Sequence, residues 1–567
     1  MTEQPPANPQ IGTISFQTAP ADYRHWRVEY DDEVAHVYMD VDENGGLVEG
    51  YELKLNSYDL AVDIELADIV QRMRFEHPEV RVVVMKSGKD NVFCAGANIR
   101  MLAASSHAHK VNFCKFTNET RNTYEVAGED SNQHYVAAVR GACAGGGYEL
   151  ALACNTIYLT DDGSSSVALP EVPLLAVLPG TGGLTRLTDK RKIRRDLADV
   201  FCSVEEGVRG SRAKQWGLVD EVFKNSSFDD EVQQHVSAMV AEVKSDTETA
   251  NPPSGIALPP LQVTRHDNGN CDYEYLTIEI DRKQKSASLT IIGPQAAPPV
   301  SAAELEQQGA SSWMLQLARE LDDAILHLRF NELDTGIWLI KSAGDSNLVA
   351  AHEAFLLQLS NNNWLAREIL HYWKRILKRV DVTSRSLIAL IEHGSCFSGC
   401  LAELLFAADR SYMMMDEFED DERPLASLLL TVANRERYPM ANGLSRLETR
   451  FLGQAEQLEA ALAATDNPID AEQAMAMGLV TFAYDDIDWF DEIRVFLEER
   501  ASFSPDAMSA MEANLRFAGP ETMETRIFGR LSAWQNWVFQ RPNAVGETGA
   551  LKRYGSGSRA DFDPRRV

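Results

Sequence analysis

Apolar runs and amphipathic segments alternate along the first half of the chain. Four segments have the short apolar or alternating composition that is typical of strands: residues 28–41, 80–85, 134–139 and 156–160. Two segments repeat apolar residues at helical spacing: residues 60–75 and 107–127. Strands that alternate with helices in this way favour an α/β fold built from crossover units.

A glycine-rich stretch joins one of these strands to a helix. Gly145, Gly146 and Gly147 follow the apolar run 134–139, and the apolar residues after them predict a helix that packs from its first turn. Three glycines allow a tight turn and leave backbone amides bare at the helix N-terminus, where an anion or a developing oxyanion binds. Glu149, one turn into the helix, is then held beside the bound group.

The second half of the chain repeats the first. Residues 246–255 are polar and breaker-rich, which predicts a linker between the halves. Four motifs recur in the same order: 134–141 with 386–394, 145–150 with 399–404, 179–187 with 439–447, and 216–219 with 477–480. This order predicts a duplicated module.

The second copy lacks the residues on which chemistry would depend. When Lys341 is aligned with Lys86, His352 replaces the turn residue Gly96, and of the three consecutive glycines only Gly399 remains. The second half is therefore expected to keep the fold without a working site. The predicted parts are an N-terminal arm, 1–25; a catalytic domain, 26–250; a degenerate copy, 251–484; and a C-terminal helical segment, 485–567.

Composition limits the class of protein. The 567 residues are 44% hydrophobic and 25% charged, which is ordinary for a soluble globular protein. The formal net charge of -31 argues against nucleic acid as a partner, because phosphate binding needs a basic face. The chain starts without the features of a signal peptide and has no apolar run long enough for a bilayer. Its eight cysteines form no CxxC pair. We therefore expect a cytoplasmic protein with free thiols and no membrane partner.

No residue pattern points to a bound metal. His107 and His109 lie in a small-residue segment without a third ligand, so we predict a surface pair. The acidic run 416–422 lacks the alternating ligands of a calcium loop. Cys396 and Cys400 have no partners at zinc spacing and are expected in the core.

Five motifs, taken together, resemble one family. They are FCAGANIR at 93–100, GACAGGGYEL at 141–150, LPEV at 169–172, PGTGG at 179–183 and AKQWGLV at 213–219. Each is weak alone, but at this spacing they are similar to the crotonase (enoyl-CoA hydratase/isomerase) superfamily. The resemblance covers most of residues 28–225, and the degenerate copy extends it to near residue 485. It implies an α/β fold of tandem crotonase-like (ββα spiral) modules, the second degenerate, followed by the C-terminal helical segment.

The resemblance assigns roles to particular residues. The backbone amides of Ala97 and Gly146 would form an oxyanion hole for the thioester carbonyl of an acyl-CoA. Glu149 and Glu171 stand at the positions of the paired glutamates of the hydratases, and Arg100 stands where the family often has a basic residue near the CoA phosphates. Fixed amides stabilise an oxyanion by roughly 3–4 kcal/mol per donor. Two carboxyls can divide acid and base duty if their surroundings separate their pKa values.

Two details modify this assignment. Asn98 replaces the aspartate usual at its position, and we expect the change to affect bracing of the loop more than chemistry. Glu171 is the candidate general acid, because apolar neighbours would desolvate its carboxyl and raise its pKa. These neighbours are Val167, Ala168, Leu169, Val172 and Leu174.

The fused layout and the tail 551–567 resemble a narrower group, the ring-cleaving dihydrolases (lyases) of aerobic benzoate degradation. These act on 2,3-epoxy-2,3-dihydrobenzoyl-CoA with two waters and release formate and 3,4-didehydroadipyl-CoA semialdehyde. The resemblance implies a homodimer and no metal or redox cofactor, since coenzyme A is part of the substrate. Glu149 and Glu171 would activate water and protonate the epoxide oxygen, with the water that each serves left open. Cys114 matches a cysteine suspected of a site role in that group; by itself it is typical of a buried structural thiol.

Two alternatives stay open at this point. The first is a simple enoyl-CoA hydratase or isomerase with a fused inactive domain. The second is a non-catalytic acyl-CoA-binding scaffold, against which the intact loops of the first half argue. For either enzyme, residues 485–567 are predicted to pack across the other module or a dimer partner, with Tyr554 and Arg559 helping to close a site.

Overall fold

The computed structural model describes residues 12–246, 254–415 and 422–567. The chain divides into two compact units, Met1–Pro260 and Leu261–Val567. Residues 247–253 of the predicted linker, residues 1–11 of the predicted arm and residues 416–421 of the acidic run lie outside the described residues. The division of the chain at residue 250 therefore stays a prediction.

The first unit contains a six-stranded sheet in which an antiparallel pair leads into four parallel strands. The strands of the unit are β1 (Trp26–Asp31), β2 (Val34–Met39), β3 (Ser57–Tyr58), β4 (Val82–Ser87), β5 (Val92–Cys94), β6 (Gly96–Ala97), β7 (His134–Val139), β8 (Ala142–Ala144), β9 (Thr156–Asp161), β10 (Ser166–Ala168) and β11 (Glu221–Lys224). The order in the large sheet is β1-β2-β4-β7-β9-β11. Its central strands are apolar and buried because helices and loops cover both faces.

Two smaller parallel sheets position the loops that follow them. β5, β8 and β10 form a three-stranded sheet, and β3 pairs with β6. The carboxyl ends of parallel strands meet at one edge of a sheet. The segments that follow β5, β8 and β10, which carry Ala97, Gly146 and Glu171, consequently leave the same edge.

Helices pack against these sheets. They are α1 (Leu60–Phe75), α2 (Ile99–Ala104), α3 (His107–Glu125), α4 (Ala127–Ser131), α5 (Gly146–Ala153), α6 (Glu171–Leu175), α7 (Gly183–Thr185), α8 (Arg195–Cys202), α9 (Gly210–Gln215) and α10 (Phe228–Asp246), with a π-helical turn at Arg186–Lys190 and 3₁₀ turns at Pro20–Asp22, Lys54–Asn56 and Asn225–Ser227. The helices predicted at 60–75 and 107–127 are confirmed. Asp59 begins α1 by accepting hydrogen bonds from the amides of Ala61 and Val62.

The described part of the predicted arm packs on the first unit. The ring of Phe16 lies 5.2 Å from that of Phe116 on α3. The Tyr23 hydroxyl donates to Asp68, and the amides of Arg24 and His25 donate to Glu65, both on α1. These contacts fix the chain where it enters β1.

The second unit contains an eight-stranded sheet. The strands of the unit are β12 (Thr264–Arg265), β13 (Cys271–Asp272), β14 (Leu276–Asp281), β15 (Ser286–Ile292), β16 (Ile337–Ala343), β17 (Ser386–Ile391), β18 (Arg410–Met414), β19 (Leu428–Leu429), β20 (Pro468–Ile469) and β21 (Phe482–Tyr484). The large sheet runs β12-β13-β14-β15-β16-β17-β18-β21. From β14 onward, an antiparallel pair again leads into four parallel strands.

The helices of the second unit include one that replaces a predicted turn. They are α11 (Ala302–Gln308), α12 (Trp313–Asn331), α13 (Ser346–Leu359), α14 (Trp364–Asp381), α15 (Gly399–Ala407), α16 (Ala433–Glu436), α17 (Arg446–Arg450), α18 (Ala455–Ala463), α19 (Ala471–Ala476), α20 (Trp489–Ala501), α21 (Pro505–Arg516), α22 (Met523–Thr525), α23 (Ser532–Val538), α24 (Pro542–Val545) and α25 (Ala550–Arg553), with a 3₁₀ turn at Gly309–Ser311 and a π-helical turn at Arg526–Leu531. His352 lies within α13 instead of in a turn. Val349, His352 and Leu356 are buried along one face of this helix, so local helical spacing decides the conformation.

The C-terminal helices pack on the sheet of their own unit. α20 contacts β16, and α21 contacts β17. The Arg566 guanidinium forms an ion pair with Glu512 of α21 and donates to the carbonyl of Ser384. Tyr554 is 92% exposed. A contact of residues 485–567 with the other module or a partner, and the closing of a site by Tyr554 and Arg559, stay predictions.

Candidate active site

Two loops of the first unit meet through glycine backbones. Gly96 and Gly145 have φ of +92° and +54°, a conformation that favours glycine. A Cβ at residue 96 would lie 2.8 Å from the nitrogen of Gly146 and 2.9 Å from the carbonyl oxygen of Ala144. Gly146 begins α5, so its N–H has no acceptor within the helix. The fold therefore brings the loops of Ala97 and Gly146 together and leaves that amide without an acceptor inside the helix.

The loop after β6 is braced by Asn98. Its Oδ1 accepts from the amide of Met101 at 2.9 Å, and its Nδ2 donates to the carbonyl of Glu52 at 2.8 Å and to Ser57 Oγ at 3.1 Å. Asparagine supplies both the acceptor and the donor that these contacts need. Arg100, which follows on α2, is exposed.

Glu149 is buried and held by donors from the segment after α6. Its Oε1 accepts from the amides of Thr181 at 2.9 Å and Gly183 at 2.7 Å. Its Oε2 accepts from the hydroxyl of Thr181, and Arg121 lies 3.7 Å from the same oxygen. Because amide N–H groups can only donate, these bonds need the carboxyl oxygens as acceptors.

Glu171 begins α6 and has different surroundings. Its Oε1 lies against Gly145, where a Cβ would come within 3.0 Å. Its Oε2 is buried and has no hydrogen-bond partner among the described residues. Burial raises the pKa of this carboxyl to about 7, and the nearby charge of Glu149 acts in the same direction. A carboxyl with this pKa exchanges its proton near neutral pH.

The desolvating neighbours of Glu171 are only partly those predicted. Val167, Ala168 and Leu169 are buried, as expected. Val172 and Leu174 are 45% and 55% exposed, so that part of the prediction is wrong. Both residues belong to the five-residue helix that Glu171 begins, and their side chains face solvent.

Cys114 lies on α3 and is half-buried. Burial raises the pKa of its thiol to about 11, and the charge of Glu149 is the second cause, which places the thiol near that carboxylate. A thiol with this pKa is protonated at neutral pH. The expectation of free thiols is confirmed, since all eight cysteines are unpaired.

Three residues of this region were not predicted: Tyr58, Arg121 and Thr181. Arg121 is buried on α3 and donates to both of the others. A signal was present, since Cys114, Thr117 and Arg121 recur at helical spacing on a face that must be inward. A buried arginine on such a face requires acceptors.

The two histidines differ from their prediction as a surface pair. They lie in the first turns of α3, and His109 is buried, which lowers its pKa. Within residues 12–246, 254–415 and 422–567, no group of three His, Cys, Asp or Glu side chains is placed to hold a metal ion. Over the same residues, every helix is too short or too polar to cross a bilayer.

Comparison with known proteins agrees with this geometry. Residues 52–251 match the family model described as enoyl-CoA hydratase/isomerase, and the first unit has the fold and loops of that crotonase class. The chain is 51% identical to the benzoyl-CoA-dihydrodiol lyase of Aromatoleum evansii over 562 residues, which is 99% of each protein. It belongs to the benzoyl-CoA-dihydrodiol lyase family, and it is therefore an enzyme, a lyase of the crotonase superfamily. The resemblance seen in the motifs is confirmed.

More distant similarities cover the first unit. A fatty acid oxidation complex subunit alpha of Idiomarina loihiensis is 34% identical over 171 residues, 30% of this chain and 23% of that protein. The crystal structure of an enoyl-CoA hydratase from Geobacillus kaustophilus is 30% identical, with a TM-score of 0.34, over 39% of this chain and 75% of that chain.

Proposed function

We propose that this enzyme cleaves the ring of 2,3-epoxy-2,3-dihydrobenzoyl-CoA. Two waters add, one ring carbon leaves as formate, and 3,4-didehydroadipyl-CoA semialdehyde remains. Two waters and the epoxide supply every atom of the products, so the reaction uses no oxidant, reductant or other cofactor, and coenzyme A belongs to the substrate. The name and full-length identity of the Aromatoleum evansii relative support this substrate.

The observation that carries the mechanism is the unlike environment of two neighbouring carboxyls. Glu171, with a pKa of about 7 and a free buried oxygen, donates its proton to the opening epoxide oxygen. Glu149, whose oxygens already accept hydrogen bonds, takes a proton from water. The amides of Ala97 and Gly146 stabilise charge on the thioester oxygen.

Two further residues complete the proposed site. Cys114 contributes a neutral thiol beside Glu149, because its raised pKa disfavours a thiolate nucleophile. Arg100 is exposed on α2, at the loop that carries Ala97, where its charge can meet the CoA phosphates.

The second unit is proposed to be a degenerate copy of the first. Support comes from the shared order of strands and from equivalent ion pairs. Arg186 pairs with Glu125 at the end of α3, and Arg446 pairs with Asp381 at the end of α14. The two arginines occupy matching positions in the repeated motif of residues 179–187 and 439–447.

The turn of this copy is filled by a protein side chain. The carboxyl of Glu353 lies where a Cβ of Gly399 would be, and it accepts from Thr431 at 2.6 Å and Tyr438 at 2.9 Å. A carboxyl in this place occupies the space in front of the helix N-terminus. This supports a second unit that keeps the fold and binds no acyl group.

Assembly and location are also proposals. The free thiols suit a reducing cytoplasm. Apolar side chains exposed on the C-terminal helices support a homodimer: Met523, Ile527, Phe528, Leu531 and Phe539. Light scattering on the purified protein measures the assembly.

The experiment that tests the function is formate release from epoxidised benzoyl-CoA, followed by mass spectrometry. We expect one formate and one semialdehyde per substrate consumed. Crotonyl-CoA serves as the competing substrate. Rapid hydration of crotonyl-CoA without formate from the epoxide would favour a simple hydratase, and acyl-CoA binding without turnover of either would favour a scaffold.

A further inference from the structure

Arg121 connects several parts of the active site. It is 1% exposed and lies on α3. Its Nη2 donates to the carbonyl oxygen of Gly146 and to the hydroxyl of Tyr58, each at 2.8 Å. Its Nη1 donates to the carbonyl oxygen of Thr181 at 3.1 Å and to the hydroxyl of the same residue. The guanidinium is suited to this role because it presents several donors in one rigid plane.

The contacts of Nη2 link the two loops of the oxyanion hole. Tyr58 lies in β3, whose register places it beside Ala97 of β6. The Tyr58 hydroxyl also fills the space that a side chain at Gly146 would need. A single nitrogen of Arg121 therefore fixes the distance between the strand beside Ala97 and the first residue of α5.

The contacts of Nη1 orient a hydroxyl toward Glu149. Because the Thr181 oxygen accepts from Arg121, its own hydrogen is free to point to Glu149 Oε2, to which it donates. The Thr181 amide donates to the other oxygen of the same carboxyl. Arg121 holds Thr181 by two bonds and so holds the donors of Glu149.

We propose that Arg121 is a positioning residue that keeps the Gly146 amide and the Glu149 carboxyl in one arrangement. It acts through Gly146, Tyr58 and Thr181 and does not touch the substrate. Only the expected changes in reaction rate rest on the proposed function. Its contacts do not depend on which acyl-CoA binds.

Arg121 also acts by its charge on the proposed acid. Groups on three elements face Glu171: Glu149 of α5, Arg121 of α3 and Cys202 of α8. The charge of Glu149 raises the pKa of Glu171, whereas the charge of Arg121 lowers it. Removing the cation therefore raises the pKa of Glu171, and the alkaline limb of the pH–rate profile moves to higher pH.

Three variants test the proposal: Arg121→Gln, Arg121→Lys and the control Arg74→Gln. Arg74 is a buried arginine of the same unit that donates to Ser131 and to the carbonyl of Thr123. The first readout is the carbonyl stretch of bound benzoyl-CoA, labelled with ¹³C at the thioester, by difference Raman spectroscopy. The second is kcat and KM for the epoxide as a function of pH.

For Arg121→Gln we expect the carbonyl frequency to return toward its value in solution and kcat to fall about 10²–10³-fold, as for loss of one oxyanion donor. KM should change less than threefold, and the alkaline limb should move up. Arg121→Lys keeps the charge, so the alkaline limb of its pH–rate profile should lie at the wild-type pH. Its carbonyl frequency should still differ from wild type, since an ammonium cannot make the same set of hydrogen bonds. Arg74→Gln should lower the unfolding temperature and leave both readouts unchanged.

An unchanged carbonyl frequency in Arg121→Gln, or an equal change in Arg74→Gln, would overturn the proposal. If Arg121→Gln does not fold, the carbonyl frequency of Arg121→Lys is compared with that of wild type, and an unchanged frequency would overturn the proposal. A frequency that depends on Arg121 in an enzyme that releases no formate would reject the proposed function and keep the positioning role. Formate release together with a carbonyl frequency that does not depend on Arg121 would keep the proposed function and reject the positioning role.

Discussion

The substitution Glu171→Gln separates catalysis from stability at one residue. The amide has the shape of the protonated carboxyl but cannot release a proton to the epoxide oxygen. General-acid catalysis contributes about 10²–10⁴-fold, so we expect kcat to fall by that factor. The same change should stabilise the protein, because it removes a carboxyl that is costly to ionise in its buried place.

The magnitude follows from the pKa of Glu171, which rises from 4.5 to about 7 on folding. A shift of one pKa unit is worth about 1.4 kcal/mol, so this shift lowers the free energy of unfolding by about 3 kcal/mol. Solvent access to the carboxyl reduces the cost to about 2 kcal/mol. Below pH 4.5 the carboxyl is protonated in both states and costs nothing. Between pH 4.5 and 7 the unfolded state ionises while the folded state keeps its proton, so wild type loses stability over this interval and the variant does not.

The assay is scanning calorimetry at pH 5 and pH 8, with formate release measured on the same samples. At pH 8 we expect the midpoint of the first unit to rise by about 4–8 °C in the variant, and most of this gain to be absent at pH 5. An equal shift at both pH values would refute the assigned environment of Glu171. Turnover within threefold of wild type would refute its role as acid.

Three further predictions concern other positions. Gly96→Ala places a Cβ 2.8 Å from the nitrogen of Gly146 and should lower kcat about 10²–10³-fold. The matched control is Gly163→Ala, which also has positive φ but open space around it and should keep full activity. A loss of activity in the control equal to that at Gly96 would refute the steric argument. Cys114 should react with iodoacetamide at pH 7.5 at least about tenfold more slowly than free cysteine, because burial raises the pKa of its thiol to about 11; alkylation at the free rate would contradict a neutral thiol. Glu353→Gln, in the second unit, should leave kcat within twofold although this carboxyl also has a pKa raised to about 7 by burial; a tenfold loss would mean that the second unit takes part in the reaction.

Local patterns predicted most of the elements of the first unit. The spacing of Leu60, Ile64 and Ala67 corresponds to α1 (Leu60–Phe75), and the apolar run at 134–139 corresponds to β7. Both signals are local, since one buried face repeats with the period of the element. The motifs likewise pointed to the two glycine loops and the glutamates that the fold brings together.

Long-range contacts could not be predicted in the same way. The bond between Arg121 and Tyr58 joins residues 63 positions apart, and no local spacing encodes it. Alignment with the first copy predicts a turn at His352, whereas the local apolar face of Val349, His352 and Leu356 forms the helix α13. The exposure of Val172 and Leu174 depends on the direction of α6, which the apolar composition does not contain.

The two carboxyls are carried by different kinds of structure. Glu149 lies in α5, inside the unit, whereas Glu171 begins a short helix whose following residues are exposed: Val172, Leu174, Val177 and Leu178. Residues 172–178 can therefore be exchanged with little effect on the amides and on the residues that hold Glu149. A new substrate preference is open to evolution, or to a library of variants in this segment, while the rest of the site is inherited unchanged.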